Sequence, residues 1–184
     1  MPRRPGLRVF APMATVVIAI GLVVALTRGA APPAPRAAVT SSDAWVLPRL
    51  DAGGQVRLSD FRGRPLVVDF FASWCTACRD ELPDLSAVSR SEAGRIAFAG
   101  VDSEENGDGV AFARTYGIGS WSLARDAGGT QQDGLRNAVE SVAGMPVIAF
   151  YDGTGRLVAS RLGAVTSETL TSLLTRYFGP GLTR

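Results

Sequence analysis

Two cysteines, Cys75 and Cys78, are the residues whose type and spacing could do chemistry, and the chain has no others. On a helix, residues three apart share a face with Cβ atoms about 5–6 Å apart, and a tightened first turn brings them within disulfide distance. The pair can therefore form a reversible dithiol/disulfide couple. We expect Cys75 at a helix N-terminus, where the dipole and free N–H groups favour a thiolate nucleophile. Cys78, one turn further in and more buried, is expected to resolve the mixed disulfide.

Three other interpretations of the cysteine pair stay open at this point. A structural disulfide is credible outside the cytoplasm, but the very small loop that it closes gives it little chain-entropy benefit. Half of a zinc site would need ligands from a partner, because the chain has two cysteines and no histidine. Two inert core thiols are the third interpretation. The strand–CxxC–helix context favours redox chemistry over all three.

Two carboxylates near the cysteines are candidates for proton transfer. Asp69 lies inside the apolar run Leu66–Ala72, where burial is costly and raises the pKa of a carboxyl group. We therefore predict that Asp69 accepts the proton of Cys78. Glu81, one turn beyond Cys78, could also influence the thiols. The alternatives are a solvated Asp69 at a sheet edge and an ordinary exposed helix carboxylate at Glu81.

Composition excludes several other functions. The chain has no histidine, and all 19 basic residues are arginine. This removes histidine-dependent hydrolases and metalloproteases, Schiff-base lysines and phosphate-binding P-loops. After residue 36 the chain carries 14 Arg and 17 acids, without a clustered basic face. We therefore expect no nucleic-acid partner.

The N-terminal segment, residues 1–28, is typical of a membrane anchor. Nineteen uncharged residues run from Val9 to Thr27, with three Arg before them and Arg28 after them. About 20 apolar residues span a bilayer, and the arginine distribution favours a cytoplasmic N-terminus. A cleaved secretory signal is the alternative, and both place the following domain outside the cytoplasm. The Ala/Pro-rich residues 29–42 predict a linker, and residues 43–184 the domain.

The domain alternates strand and helix patterns, which predicts an α/β fold with a mixed central sheet flanked by helices. The predicted strands are an N-terminal hairpin of Ala44–Leu50 and Gln55–Leu58, then Leu66–Ala72, Arg95–Val101, and Val147–Tyr151 paired with Arg156–Leu162. The predicted helices are Cys75–Ser91 with a kink at Pro83, Gly109–Tyr116 and Gln131–Glu140. A last helix is capped by Ser167 and places Leu170, Leu173, Leu174 and Phe178 on one face. Met145-Pro146, directly before a buried strand, predicts a tight turn and a candidate cis peptide.

These motifs together resemble the thioredoxin superfamily, specifically the membrane-anchored TlpA/ResA/DsbE-like thiol–disulfide proteins. The resemblance covers about Asp43 to Phe178 and is strongest over Leu58–Pro83, LSDFRGRPLVVDFFASWCTACRDELP. The positions that match the family pattern in this segment are Trp74, Cys75, Cys78, Glu81 and Pro83, and Asp69 matches the buried acid of thioredoxin. Tyr151–Val158 is similar to the family's terminal hairpin.

The resemblance also implies a substrate-binding region. The stretch Val142–Pro146 resembles the family's cis-proline loop, which implies that Pro146 lies beside the cysteines and that Met145 offers its backbone to a substrate strand. Trp74 is implied to join them in binding substrate. Thr76-Ala77 lacks the proline that many relatives carry before the second cysteine, and Met145 is larger than usual, so the direction of electron flow stays open.

The function implied is an extracytoplasmic, periplasmic thiol–disulfide oxidoreductase that exchanges disulfides with exported proteins, without a metal or other cofactor. It would act as a reductant, for example of apocytochrome c, or as an oxidant, with a membrane thiol protein as electron donor or acceptor. The alternative is a redox-inactive thioredoxin-like binding module or metallochaperone. A peroxidase would need a cysteine in a Thr/Arg pocket and not a CxxC pair.

Overall fold

The structure, a computed structural model, describes residues 42–51 and 53–180. The predicted anchor at 1–28, and the linker apart from its last residue, lie outside these ranges. Within the described ranges no helix is long and apolar enough to cross a membrane.

A five-stranded mixed sheet forms the centre of the domain. The strands are β1 (Val46–Pro48), β2 (Gln55–Arg57), β3 (Leu66–Phe71), β4 (Ala97–Ser103), β5 (Ser122–Asp126), β6 (Val147–Tyr151) and β7 (Leu157–Leu162). The sheet order is β5-β4-β3-β6-β7, with β3, β4 and β5 parallel and β6 and β7 antiparallel to their neighbours. β1 and β2 pair separately as an antiparallel hairpin. The predicted mixed sheet and N-terminal hairpin are therefore confirmed.

In the part of the chain that the structure describes, four helices and one 3-10 turn complete the domain. They are the turn Leu58–Phe61, α1 (Thr76–Ser91, with Pro83 inside it), α2 (Gly109–Thr115), α3 (Leu135–Val139) and α4 (Ser167–Phe178). α1, α2 and α4 contribute to the core on one face of the sheet, and the hairpin and α3 contribute to the core on the other. Every residue of β3 is buried, because side chains of a strand alternate between two covered faces.

Three details differ from the prediction. β5 was not predicted, because only Leu123 and Ala124 of this short edge strand are apolar residues facing a core. α3 is shorter than the predicted Gln131–Glu140. The last helix is capped by Thr166, whose hydroxyl accepts the Thr169 N–H at 3.2 Å, and not by Ser167, so the predicted cap was wrong by one position. Two adjacent hydroxyl residues satisfy the same capping preference, and the sequence does not distinguish them.

Candidate active site

The two cysteines form a disulfide at the start of α1. Their Cα atoms are 5.3 Å apart. Cys75 is the N-cap of the helix, and its Sγ accepts the backbone N–H of Cys78 at 3.1 Å. Cys78 is fully buried, whereas Cys75 is 4% exposed. Of the two cysteines, Cys75 is therefore the one with surface exposed to solvent. In the reduced protein the same N–H group would favour the Cys75 thiolate.

Asp69 and Glu81 come together as a buried carboxyl pair between β3 and α1. Asp69 alternates with Val67 and Phe71 on the face of β3 whose core cluster includes both cysteines. Glu81 follows Cys78 by three residues on α1, hence on the same side of the helix. Asp69 is completely buried and Glu81 is 2% exposed. The solvated alternatives for both residues are thus excluded.

Few hydrogen-bond donors reach the carboxyl oxygens of Asp69 and Glu81. Glu81 Oε2 accepts the backbone N–H of Val165 at 3.0 Å. Apart from the contact between the two carboxyl groups, Glu81 Oε1 and both oxygens of Asp69 have no hydrogen-bond partner. A hydrogen bond between two carboxyl groups requires a proton on one of them.

Burial raises the pKa of both carboxyl groups above its ordinary value. For Asp69, burial outweighs the hydrogen bond with Glu81, which lowers the pKa. For Glu81, burial and the neighbouring charge of Asp69 raise the pKa, and the Val165 N–H opposes them. Two buried like charges in contact resist simultaneous ionisation, so the pair retains a proton near neutral pH. A carboxyl pair that exchanges protons near neutral pH, on the face of β3 whose core cluster contains both cysteines, is a candidate proton acceptor and donor for Cys78.

The turn that precedes Cys75 is held by the loop after β4. Glu105 accepts the backbone N–H of Ser73 at 2.7 Å and its hydroxyl at 2.6 Å. The indole N–H of Trp74 donates to the carbonyl of Glu104 at 2.8 Å. Trp74 is 44% exposed next to the disulfide. The loop therefore fixes the indole while leaving part of its ring available to solvent.

Glu105 was not singled out from the sequence. Burial tends to raise the pKa of Glu105, but hydrogen bonds from Ser73, Gly107 and Asn106 outweigh it and lower the pKa below the usual range. The carboxylate form is thus the one that the active-site turn requires. The signal available in the sequence was the acid-rich stretch directly after a buried strand, at its C-terminal end, where α/β sheets place functional groups.

We expect Glu105→Ala to lower the free energy of unfolding by about 1.5–3 kcal/mol near pH 7, because hydrogen bonds to a charged group are lost. This contribution is present above the unfolded-state pKa of about 4.3 and is lost as the pH falls through the lower folded-state value. Chemical denaturation at pH 7 and at pH 3 measures it. Glu168→Ala, at an exposed acid in the first turn of α4, is the matched control. Equal losses in both variants would contradict the assignment.

The loop before β6 brings Met145 and Pro146 to the same region. The Met145–Pro146 peptide bond is cis. Pro146 is buried, and its carbonyl accepts the N–H of Gly163 at 2.9 Å. Met145 is partly buried and packs against the core cluster that contains both cysteines. The structure thus assembles the cysteines, the carboxyl pair and Met145 around one cluster.

Among residues 42–51 and 53–180, no group of three or more cysteine, aspartate or glutamate side chains is arranged to hold a metal ion.

Comparison with known proteins agrees with the resemblance read from the motifs. The model of the AhpC/TSA family matches residues 33–177. The chain is similar to the thiol:disulfide interchange protein DsbE homolog of Paracoccus denitrificans, with 32% identity over 124 residues that cover 65% of this chain and 64% of the relative. It is also similar to the thiol:disulfide interchange protein TxlA homolog of Synechocystis, with 27% identity over 116 residues and 61% of this chain covered. The chain spans about half the length of the first curated relatives that it matches, 52% and 51%.

Solved structures show the same fold. A secreted disulfide oxidoreductase of Mycobacterium tuberculosis, described as homologous to DsbE of E. coli, superimposes with a TM-score of 0.59 at 23% identity. The match covers 73% of this chain and 97% of that one. The thioredoxin-like α/β fold and the resemblance to DsbE-like proteins are thereby confirmed.

Proposed function

Since this chain belongs to the AhpC/TSA family, we propose that it is an extracytoplasmic thiol–disulfide oxidoreductase that exchanges disulfides with exported proteins. The observation that carries the proposal is the Cys75–Cys78 disulfide at the start of α1, with Cys75 as its outer sulfur. A disulfide that caps a helix above a buried carboxyl pair has both a reachable sulfur and a route for protons. A purely structural bridge needs neither.

Reduction of a substrate disulfide proceeds in two balanced steps. The Cys75 thiolate attacks one substrate sulfur, which forms a mixed disulfide and releases the other substrate sulfur as a thiolate. The Cys78 thiolate then attacks Cys75 Sγ, which restores the Cys75–Cys78 bond and releases the second substrate sulfur. The substrate gains two electrons and the cysteine pair loses two. Oxidation of a substrate dithiol is the reverse sequence.

The buried carboxyl pair acts on the second step. Cys78 is fully buried, and burial disfavours its thiolate. Asp69, assisted by Glu81, takes the proton of Cys78 when it attacks, and returns it when the mixed disulfide forms in the opposite direction. The raised pKa of both groups makes them stronger bases towards the thiol than ordinary carboxylates.

Substrate would bind across Trp74, Met145 and Pro146. Trp74 offers a half-exposed ring beside Cys75, and Met145 offers its backbone to an extended segment of the substrate. Two observations support a location outside the cytoplasm, namely the apolar N-terminal run and the likeness to a protein described as secreted. A membrane thiol protein would then recharge the pair. Apocytochrome c is one exported substrate that a reductant of this kind would serve.

The test is a redox titration of the full chain in mild detergent, using glutathione and dithiothreitol buffers. We expect one reversible two-electron transition of the Cys75–Cys78 couple. A potential near about −250 mV or lower indicates a reductant, and one nearer about −120 mV indicates a disulfide donor. If the two thiols never form a reversible disulfide with each other, the proposal fails and a redox-inactive binding module becomes the better account.

A further inference from the structure

Arg136 is a fully buried arginine at the start of α3, on a helix that contributes no group to the chemistry above. Its position is fixed through the backbone. The carboxylate of Asp126 accepts the N–H of Leu135 at 3.1 Å and that of Arg136 at 2.8 Å. Burial lowers the pKa of its guanidinium, and the negative charges of Glu104, Glu140 and Asp126 oppose this only in part. A buried charge of this kind is costly to keep unless it has partners.

The partners of the guanidinium are the carbonyls of three alternate residues in one loop. Its Nη1 donates to the carbonyl of Glu140, and its Nη2 donates to those of Val142 and Gly144 at 2.6 and 2.5 Å. The next two residues are Met145 and Pro146. Arg136 therefore binds the segment that leads directly into the proposed substrate-binding backbone.

The loop itself is otherwise exposed. Residues 141–144 are all on the surface, and Val142 is 58% exposed. They belong to neither a helix nor a strand. A segment of this kind has many accessible backbone conformations, and ordering it when substrate binds would cost affinity. Three hydrogen bonds from a rigid, planar, permanently charged group restrict the loop before substrate arrives.

We propose that Arg136 is a positioning residue that preorganises the 140–144 loop so that the backbone of Met145 is set to bind polypeptide substrates. The inference rests on the proposed function and deepens it. It separates two kinds of substrate, because a polypeptide uses the loop, whereas a small disulfide needs only the sulfur of Cys75. Arg136 touches none of the reacting atoms, so the chemical steps do not depend on it.

The variant Arg136→Lys tests this, because an ammonium group keeps the charge but cannot span three carbonyls with a planar fork. The full chain in mild detergent is assayed for dithiothreitol-driven reduction of insulin. The reduced protein is also reacted with oxidised glutathione. We expect the KM for insulin to rise about fivefold or more from lost preorganisation. The kcat, the glutathione rate and the reduction potential should stay close to those of the unaltered chain.

Arg156→Lys, at an exposed arginine paired with Asp152, is the matched control and should change none of these quantities. If Arg136→Lys does not unfold cooperatively, Gly144→Ala tests the same loop from its other side. Gly144 has φ +132°, and a Cβ there would lie 3.2 Å from Leu162, so the substitution strains the backbone whose carbonyl accepts from Arg136. Gly94→Ala, at φ +82° with open space around it, controls for the backbone strain.

An insulin KM that is unchanged in a folded variant, or a glutathione rate that falls as much as the insulin rate, would overturn the role of Arg136. Failure of the proposed function gives a different result. The unaltered chain would then reduce neither insulin nor glutathione, and its cysteines would show no reversible couple.

Discussion

Replacing Cys78 with Ser is expected to convert the protein from a catalyst of disulfide exchange into a trap for its substrates. Cys75 keeps its place at the helix N-cap and its access to solvent. It can still attack a substrate disulfide, but no second thiol can release the mixed disulfide. Turnover of insulin should fall to the uncatalysed rate, while covalent adducts between Cys75 and substrate proteins accumulate.

Cys75→Ser provides the contrast, because it leaves only the fully buried sulfur of Cys78. This variant should lose turnover equally and form no adducts. Non-reducing electrophoresis, followed by mass spectrometry of the adducts, distinguishes the two variants and identifies the substrates. Adducts on Cys78 in the Cys75→Ser variant would show that the assignment of nucleophile and resolving thiol is reversed.

The part of the site that the sequence predicted is local in the chain. Leu66–Phe71 is apolar apart from Asp69, a pattern that predicted a strand covered on both faces, and the CxxC pair that follows it was predicted to lie at a helix start. The cost of burying Asp69 and the helical spacing of Cys78 and Glu81 singled out both acids separately. Their mutual contact was not predictable, because it depends on how α1 packs against β3.

The parts that the sequence did not predict depend on contacts between distant residues. Ser73 and Glu105 are separated by 32 positions, and neither is unusual for a surface loop. In the sequence, nothing distinguishes Arg136 from an ordinary surface arginine of a helix. Only the folded structure places three backbone carbonyls around its guanidinium. β5 exists as a strand because β4 offers it a parallel partner, not because of its own apolar pattern. Such features arise from packing, which overrides weak local preferences.

Asp69→Asn is expected to make the oxidised protein more stable at pH 8 and to make its stability less dependent on pH. The folded state raises the pKa of Asp69 and Glu81. Below the unfolded-state pKa of about 4, both carboxyl groups are protonated in the folded and the unfolded state, so their ionisation does not change the free energy of unfolding. As the pH rises from there, the two carboxyl groups lose their protons in the unfolded chain but keep them in the folded chain. The free energy of unfolding therefore falls until the folded-state pKa is passed.

An amide at position 69 removes one of the two ionisable groups of the pair and supplies an N–H group that can donate to Glu81 Oε1, which otherwise has no donor. We expect the free energy of unfolding at pH 8 to rise by about 1–3 kcal/mol, the usual cost of an unsatisfied buried polar group. The gain should shrink as the pH approaches 4. Burial raises the pKa of Asp102 to about 7 as well, but Asp102 is present in both proteins and cancels in the comparison.

Denaturation of the oxidised proteins between pH 4 and pH 8 measures this, since disulfide-bonded cysteines do not titrate. Asp80→Asn, at an exposed acid on the same helix as Glu81, is the control and should leave the pH profile unchanged. The same Asp69→Asn protein should turn over substrate more slowly, because Cys78 loses its proton acceptor. Greater stability together with slower turnover would identify Asp69 as a group that destabilises the folded state and takes part in the reaction. Lower stability at pH 8 would show instead that Asp69 serves only the structure.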